Sequence, residues 1–539
     1  MNMSKIKKLN IIGKFQRIVN IIQEDAKAHI ETLKKLAIHG DGDFSQHKKK
    51  TQSVDSATTE GAGAQKRKQK FRTRLKSLFK RDKSNESGSN PNNKSAQSDK
   101  KTCKNGCPVS MVTGEELLTL EDCSLPGALG FTFKRTYRTS ACELLDGLGY
   151  GWSHSLSHLL TFEDGKVFWR NSENVTVPLP EPSVERPAIY NLLGDAAVFL
   201  GDAPNEFIVS SSEYDFLHFE RDGNIARLTK ISDNYDNCLL ISYNQNKQPQ
   251  AVINPVGIAL WFNYQDNLIT SIELRTFSDD DGKKVWHTER TLQQYIYDKS
   301  CHLIGERNEA NEGEDYDYDN DNVITLRRMA GGIEFFWSWE GTGKNVRCVR
   351  HWSNMGGDAQ YVWNDDENSV EVINPDGSKL VYQHDENAQL LSSVDPDGAE
   401  SFKEYDQDGN VVKEIDALGN ETTHVYDEAG FRIQTITPDG NILEFEYLQG
   451  KIFKVHRGDA SWRYFHNFEG DLTEKKDPAG NTTYYEYNEQ GNLSTIKYPD
   501  GSEHKLSWNR LGMFSPIPMP PLFNKLTFIL VRPIVLSGS

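Results

Sequence analysis

Few side chains in this sequence have the type and spacing to do chemistry. His154 and His158 stand four apart, the separation at which one helix face offers two imidazoles to a metal ion. Their neighbours, Gly151-Trp152 and Leu159-Leu160-Thr161-Phe162, read as strand instead. A strand would hold the two rings roughly 13 Å apart, too far for one ion. The run Asp315-Tyr316-Asp317-Tyr318-Asp319-Asn320-Asp321 alternates acids as a calcium loop does. Asn320 stands where that loop needs glycine and Leu326 where it needs a bidentate glutamate, so the run reads as an exposed acidic insertion. Cys103, Cys107 and Cys123 lack a second close pair, and the seven cysteines read as buried or free thiols. No phosphate-binding loop, Gly-x-Ser-x-Gly elbow or His-Glu-x-x-His helix occurs. Most carboxylates sit in Asp-x-x-Gly turns, where they cap backbone groups. The expectation is a chain that is not an enzyme, with no catalytic residue, cofactor or metal.

The elements that dominate the chain are turns and strands. From Val394 to Gly440 one unit is written twice and begun a third time. A turn ends at Gly398, Tyr405 follows, and a second turn ends at Gly409; the pattern restarts at Gly419, Tyr426 and Gly430, then at Gly440, Tyr447 and Gly450. The step is 21 residues each time (419−398 and 440−419). Pro-Asp-Gly places proline where φ is fixed and glycine where φ must be positive. Between turns lie short runs rich in Thr, Val, Ile, Tyr and Phe, which is strand composition without helical period. Gly480, Tyr487 and Gly491 fit downstream, as do Gly501 and Trp508; Gly377 with His384, Gly356 with Trp363 and Gly332 with Trp339 fit upstream. Gly458, Phe465 and Gly470 make an off-length copy. One hairpin cannot bury its apolar face alone, so these units must stack. The fold class is therefore mainly β: an elongated antiparallel sheet of hairpins that curls into a partial shell. Tyr405, Tyr426, Tyr447 and Tyr487 are expected to stack between neighbouring turns.

Charge divides the chain. Residues 1–101 carry 24 Lys and Arg against 10 Asp and Glu, about +14, and the rest holds 37 against 68 (61−24 and 78−10), about −31. The body should repel nucleic acid. Residues 1–40 contain an amphipathic helix with Ile12, Phe15, Val19 and Ile22 on one face, and 41–102 read as a disordered basic linker. Beyond it the organisation is 103–180, a β lead-in; 181–330, degenerate repeats; 331–512, regular repeats; and 513–539, a tail whose Pro516, Pro518, Pro520 and Pro521 break the register. The tail reads as foreign to the repeat, as a frameshift would leave. No signal peptide and no transmembrane segment is recognisable, so a cytosolic start and a route of export without a classical signal are expected.

The wording of Gly419 to Gly430, Gly-Asn-x-Thr-Thr-x-x-Tyr-Asp-x-x-Gly, and its variant at Gly480 to Gly491 resemble the YD repeats of Rhs proteins, the bacterial polymorphic toxins. The lead-in resembles the opening of the same proteins, the domain catalogued as DUF6531. It supplies Gly106-Cys107-Pro108-Val109, Thr113-Gly114, Leu125-Pro126-Gly127, Arg135-Thr136-Tyr137-Arg138 and Gly147-Leu148-Gly149-Tyr150-Gly151-Trp152 in order. Cys107 replaces the family's usual aspartate.

The resemblance implies a structural shell that encapsulates a toxin for interbacterial competition, in many such proteins by type VI secretion. Its partners would be the toxin cargo with its immunity protein, and a secretion apparatus or chaperone reached by the N-terminal arm. It implies bacterial cytoplasm before export and delivery outside the cell. Neither a C-terminal toxin nor the family's self-cleavage segment is recognisable here: Asp395-Pro396-Asp397-Gly398 and Asp477-Pro478-Ala479-Gly480 match only its turn. Two other readings stay open. One is a cell-surface or carbohydrate-binding module, with Trp337, Trp339, Trp352 and Trp363 as sugar platforms. The other is an inactive remnant of a recombined locus.

Overall fold

The computed structural model describes residues 83–105, 108–280, 283–509 and 514–515. The expected helix in 1–40, the first two thirds of the linker and nearly all of the tail lie outside the described residues.

Among the described residues the body is a 34-stranded sheet. From Ala188–Asn191 to Glu503–Lys505 each strand pairs antiparallel with the next in sequence, a continuous meander in which hairpin turns set the register. The early strands carry unbroken apolar runs, Ala196–Leu200 and 207–209 among them, because both of their faces are covered. Val198, Phe207, Val209, Leu217 and Phe219 face one core, and Ala197, Phe199, Ile208 and Phe216 alternate with them into another.

The first core is filled by the lead-in. Leu117–Leu125, Phe131–Arg138 and Trp152–His154 form a three-stranded sheet that buries Phe133, Tyr137 and Trp152. Strand Leu159–Glu163 joins it to the body, pairing with Lys166–Arg170 on one side and with Ile225–Arg227 on the other. The second core comes from far along the chain: Phe431 and Ile452 pack on Ala188, Phe199, Ile208 and Phe216. The sheet has therefore wound until regular repeats lie against its own first strands, which are held between lead-in and late repeats.

Three expectations are corrected. The linker does not run to residue 102. Lys83–Ser84 pairs with Tyr190–Asn191, Ser89 bridges Thr176, and Asn90 and Ala96 are buried. Its Asn and Ser side chains serve as turn caps, with Asn90 Oδ1 accepting from the Asn92 and Lys94 amides, which composition alone does not distinguish from a solvated tract. The acidic run is no insertion, because Asp315–Tyr318 is a strand of the sheet and Tyr316 is 1% exposed. His154 and His158 do not share a strand: His154 ends one, and Ser155 and Leu156 turn the chain before His158. Both rings are buried, and His158 stacks on Trp169.

Candidate functional site: repeat, anchor and seam

The repeat residues act through the backbone. Gly398, Gly419, Gly440 and Gly480 on one rim, and Gly409, Gly430 and Gly491 on the other, all sit at turns with positive φ. Within each turn an acid or amide caps two amides: Asp406 Oδ1 accepts from Asp408 and Asn410, and Asp427 Oδ1 from Ala429 and Phe431. The abundant carboxylates are spent on turns.

The tyrosines do not form a stack from turn to turn, although Tyr447 does lie on Phe431. Each donates its hydroxyl to the carbonyl fifteen residues earlier, at the start of the preceding strand: Tyr405 to Leu390, Tyr426 to Val411, Tyr447 to Arg432 and Tyr487 to Leu472, at 2.7–3.1 Å. A bulge in the pairing with the following strand falls immediately before each tyrosine, whose hydroxyl satisfies the carbonyl on the preceding strand. The same fifteen-residue bond is made by Tyr243, Tyr264 and Tyr318, so the degenerate stretch obeys the rule of the regular one. Trp339, Trp363 and Trp508 make it with their indole N–H. In the off-length copy the bulge precedes His466, which takes the slot that spacing gave to Phe465.

Of the four tryptophans expected as sugar platforms, one is buried and two are tied through their indole N–H. Trp337 is 3% exposed, and Trp339 and Trp363 are committed to Ile324 and Cys348. Trp352 stacks on Phe336 beneath Arg350.

Sequence reasoning missed the lead-in's anchor. Arg135 lies at the centre of a buried cluster, paired with Asp122 and, at 3.2 Å, with Glu306, and it donates to the Tyr316 hydroxyl at 3.1 Å. Arg327 holds Glu314 with two parallel bonds of 2.8 and 2.6 Å. Burial raises Asp122 to about 6 against the pull of Arg135. Glu116, fully buried with neither carboxyl oxygen partnered, is raised to about 8 by desolvation, opposed by Arg327 and assisted by Glu314. Four acids share two guanidinium groups, and burial favours the protonated forms of two of them, Asp122 and Glu116. The cluster is sealed, and it joins lead-in to sheet. Its one sequence signal was a charge, Arg135, on the apolar alternation of Phe131–Arg138.

The third locus is the seam where the wound sheet meets itself. Asn234 Nδ2 donates to the Glu469 carbonyl, Asn237 Nδ2 to the Gln490 carbonyl, and Asn467 Nδ2 to the Tyr235 hydroxyl, at 2.7–2.8 Å. The rims differ accordingly. A Cβ added at Gly409 or Gly491 would meet Leu193 or Tyr235 at 2.6 or 2.3 Å, whereas one at Gly398, Gly419, Gly440 or Gly480 would meet nothing. A cleft of about 210 Å³ opens along the seam, between residues 88–101, the Leu192–Asp195 turn and the turns at Gly409 and Gly430. Among the described residues no group of three or more His, Cys, Asp or Glu could hold a metal, and no helix is long and apolar enough to cross a membrane.

Two family descriptions match the chain: Domain of unknown function (DUF6531) over residues 106–179, and RHS Repeat over 405–442 and 469–503. No curated protein matches. Among solved structures, the Photorhabdus luminescens Tc holotoxin pore is similar over 74% of this chain and 26% of its own, at 10% identity and a TM-score of 0.36. TcdB2-TccC3 is similar over 71% and 24%, at 11% identity and a TM-score of 0.34. The chain thus spans about a quarter of the length of those chains. With its lead-in seated in the first core and its tyrosines tying strand to strand, the chain carries a DUF6531 domain followed by RHS repeats.

Proposed function

We propose that this chain is the head of a container wall that holds a toxin polypeptide for delivery into a competing cell. The observation that carries the reading is the winding itself. Phe431 and Ile452 seat on Phe199 and Phe216 while the opposite face of those strands is filled by the lead-in. A sheet so clamped keeps its curvature and carries side chains on two distinct faces. Late repeats leave apolar side chains such as Phe402, Val425 and Tyr484 partly exposed, the kind of surface that receives an unfolded segment. Cargo with its immunity protein, delivery through a type VI or related apparatus, and a chaperone on the basic arm belong to the same proposal. The chain itself performs no catalysis in this reading.

The test is protection. The full chain is mixed with a permanently unfolded reporter, reduced and carboxymethylated lactalbumin, and digested with protease. Retention of a reporter fragment with the chain, absent when the chain is omitted, supports a container. Digestion at the free rate, with the chain intact, overturns it.

A further inference from the structure

The seam brings together an amine, a carboxamide and a carboxylate from distant parts of the chain. Lys451, 6% exposed, opens its strand on the late side. A Cβ added at Gly470 would lie 3.2 Å from Lys451 Nζ and 4.0 Å from Asn234 Nδ2, so the amine and the early-side carboxamide flank one residue. Asn234 Oδ1 and Asp471 Oδ2 are both buried without a hydrogen-bond partner. Asp471 follows Gly470, and its carboxylate reaches the residue next to Asn234: burial first, then that carboxylate, pushes the Tyr235 phenol up.

Buried acceptors left unsatisfied cost free energy, so this grouping calls for a reason. The pocket is dry enough to hold the His466 imidazole down at about 4, by desolvation first and by Lys451 second. A lysine out of water gives up its proton readily, and a free amine attacks carbonyl carbon. The Asn234 carboxamide is held in place for such an attack, because its Nδ2 donates to the Glu469 carbonyl at 2.7 Å.

We propose that Lys451 and Asn234 form an intramolecular amide cross-link across the seam, with Asp471 as the proton carrier. Lys451 Nζ bonds to Asn234 Cγ, and the Cγ–Nδ2 bond breaks. Asp471 takes a proton from the attacking nitrogen and passes it to the departing one. An ammonium and a primary amide become a secondary amide and free ammonium; nothing is oxidised or reduced, and no co-reactant enters. The new N–H takes over the Glu469 carbonyl. The bond closes a loop of 217 residues (451−234) and fixes the wound state as a long-range disulfide would. It needs the winding, but neither cargo nor the container function.

The experiment is intact-mass spectrometry with peptide mapping on the purified full chain. The expected result is a mass one ammonia below that of the sequence, with a branched peptide joining Asn234 to Lys451. Lys451→Met and Asn234→Ala should each show their own sequence mass. Asp471→Asn should lower the cross-linked fraction about tenfold or more. Lys454→Met, on the same strand, should keep the cross-link. Thermal melts establish that each variant is folded. The proposal is overturned by the unmodified sequence mass in the folded wild-type chain, or by cross-linking that Asp471→Asn leaves unchanged. A lighter mass that persists in Lys451→Met would mark an asparagine succinimide instead, and overturns it too.

Discussion

Asn234 and Glu469 lie 235 residues apart and are joined by a 2.7 Å bond from the Asn234 side-chain amide to the Glu469 carbonyl. A meander of hairpins needs no such contact, since each strand is satisfied by its neighbours. The bond exists because the sheet has turned far enough to meet its own beginning.

The two rims should respond differently to the same substitution. Gly480→Ala and Gly491→Ala both force a Cβ into positive φ, which costs about 1 kcal/mol. Only at Gly491 does that Cβ also strike a ring, Tyr235 at 2.3 Å. Hydrogen exchange should accelerate at residues 233–237 in Gly491→Ala and stay unchanged there in Gly480→Ala. Equal protection in both variants would mean that the seam does not hold the early turns.

The tyrosine bond should be separable from tyrosine packing. Tyr426→Phe keeps the ring and leaves the Val411 carbonyl without its donor, an expected loss of about 1 kcal/mol in urea unfolding. His384 offers the reverse experiment. It follows the same bulge, and its Nδ1 is buried without a partner. His384→Tyr should gain a bond to the Ser369 carbonyl, fifteen residues back, and raise stability by a similar amount.

The anchor should behave as a buried ionic unit. Arg135→Met strands Asp122 and Glu306 in the core and should cost about 3–5 kcal/mol. Adding Asp122→Asn should recover part of that loss. A double mutant at the sum of the two singles would mean that the pair is uncoupled.

Glu116 gives stability a pH dependence. Its folded pKa of about 8 lies above the ordinary carboxyl range, so the native state holds a proton that the unfolded chain releases near pH 4 to 5. Its contribution is full below that range and is lost as pH rises to about 8. Glu116→Gln should raise the melting temperature at pH 8 and change it little at pH 4.5. A variant with the wild-type pH slope would show that Glu116 is not the group responsible.

The regular repeats were legible because turn chemistry and the aromatic recur in register, so that Gly419, Tyr426 and Gly430 announce themselves. Less legible was what the tyrosine does, because its partner is a backbone carbonyl and carbonyls leave no mark in a sequence. The seam was invisible for the same reason: Asn234 and Asn237 look like ordinary turn residues until the sheet's curvature brings Glu469 and Gln490 to them. Residues 83–102 were misread because a segment can be polar and still be tied down through its own Asn and Ser caps. Tyr316 and Arg135 were missed because charged and aromatic residues alternating along a strand look solvated unless a second layer is known to cover them.

The second core also sets a timetable for synthesis. Phe199, Ile208 and Phe216 are translated early, and their cover arrives with Phe431 and Ile452. At ribosomal speeds of about 5–20 residues per second, the 215 residues between Phe216 and Phe431 (431−216) take roughly 10–45 s to emerge. For that interval the nascent chain presents an uncovered greasy strip. A strong dependence of yield on holding chaperones and on translation rate follows, and it should be relieved by slowing initiation, not by stabilising the finished fold.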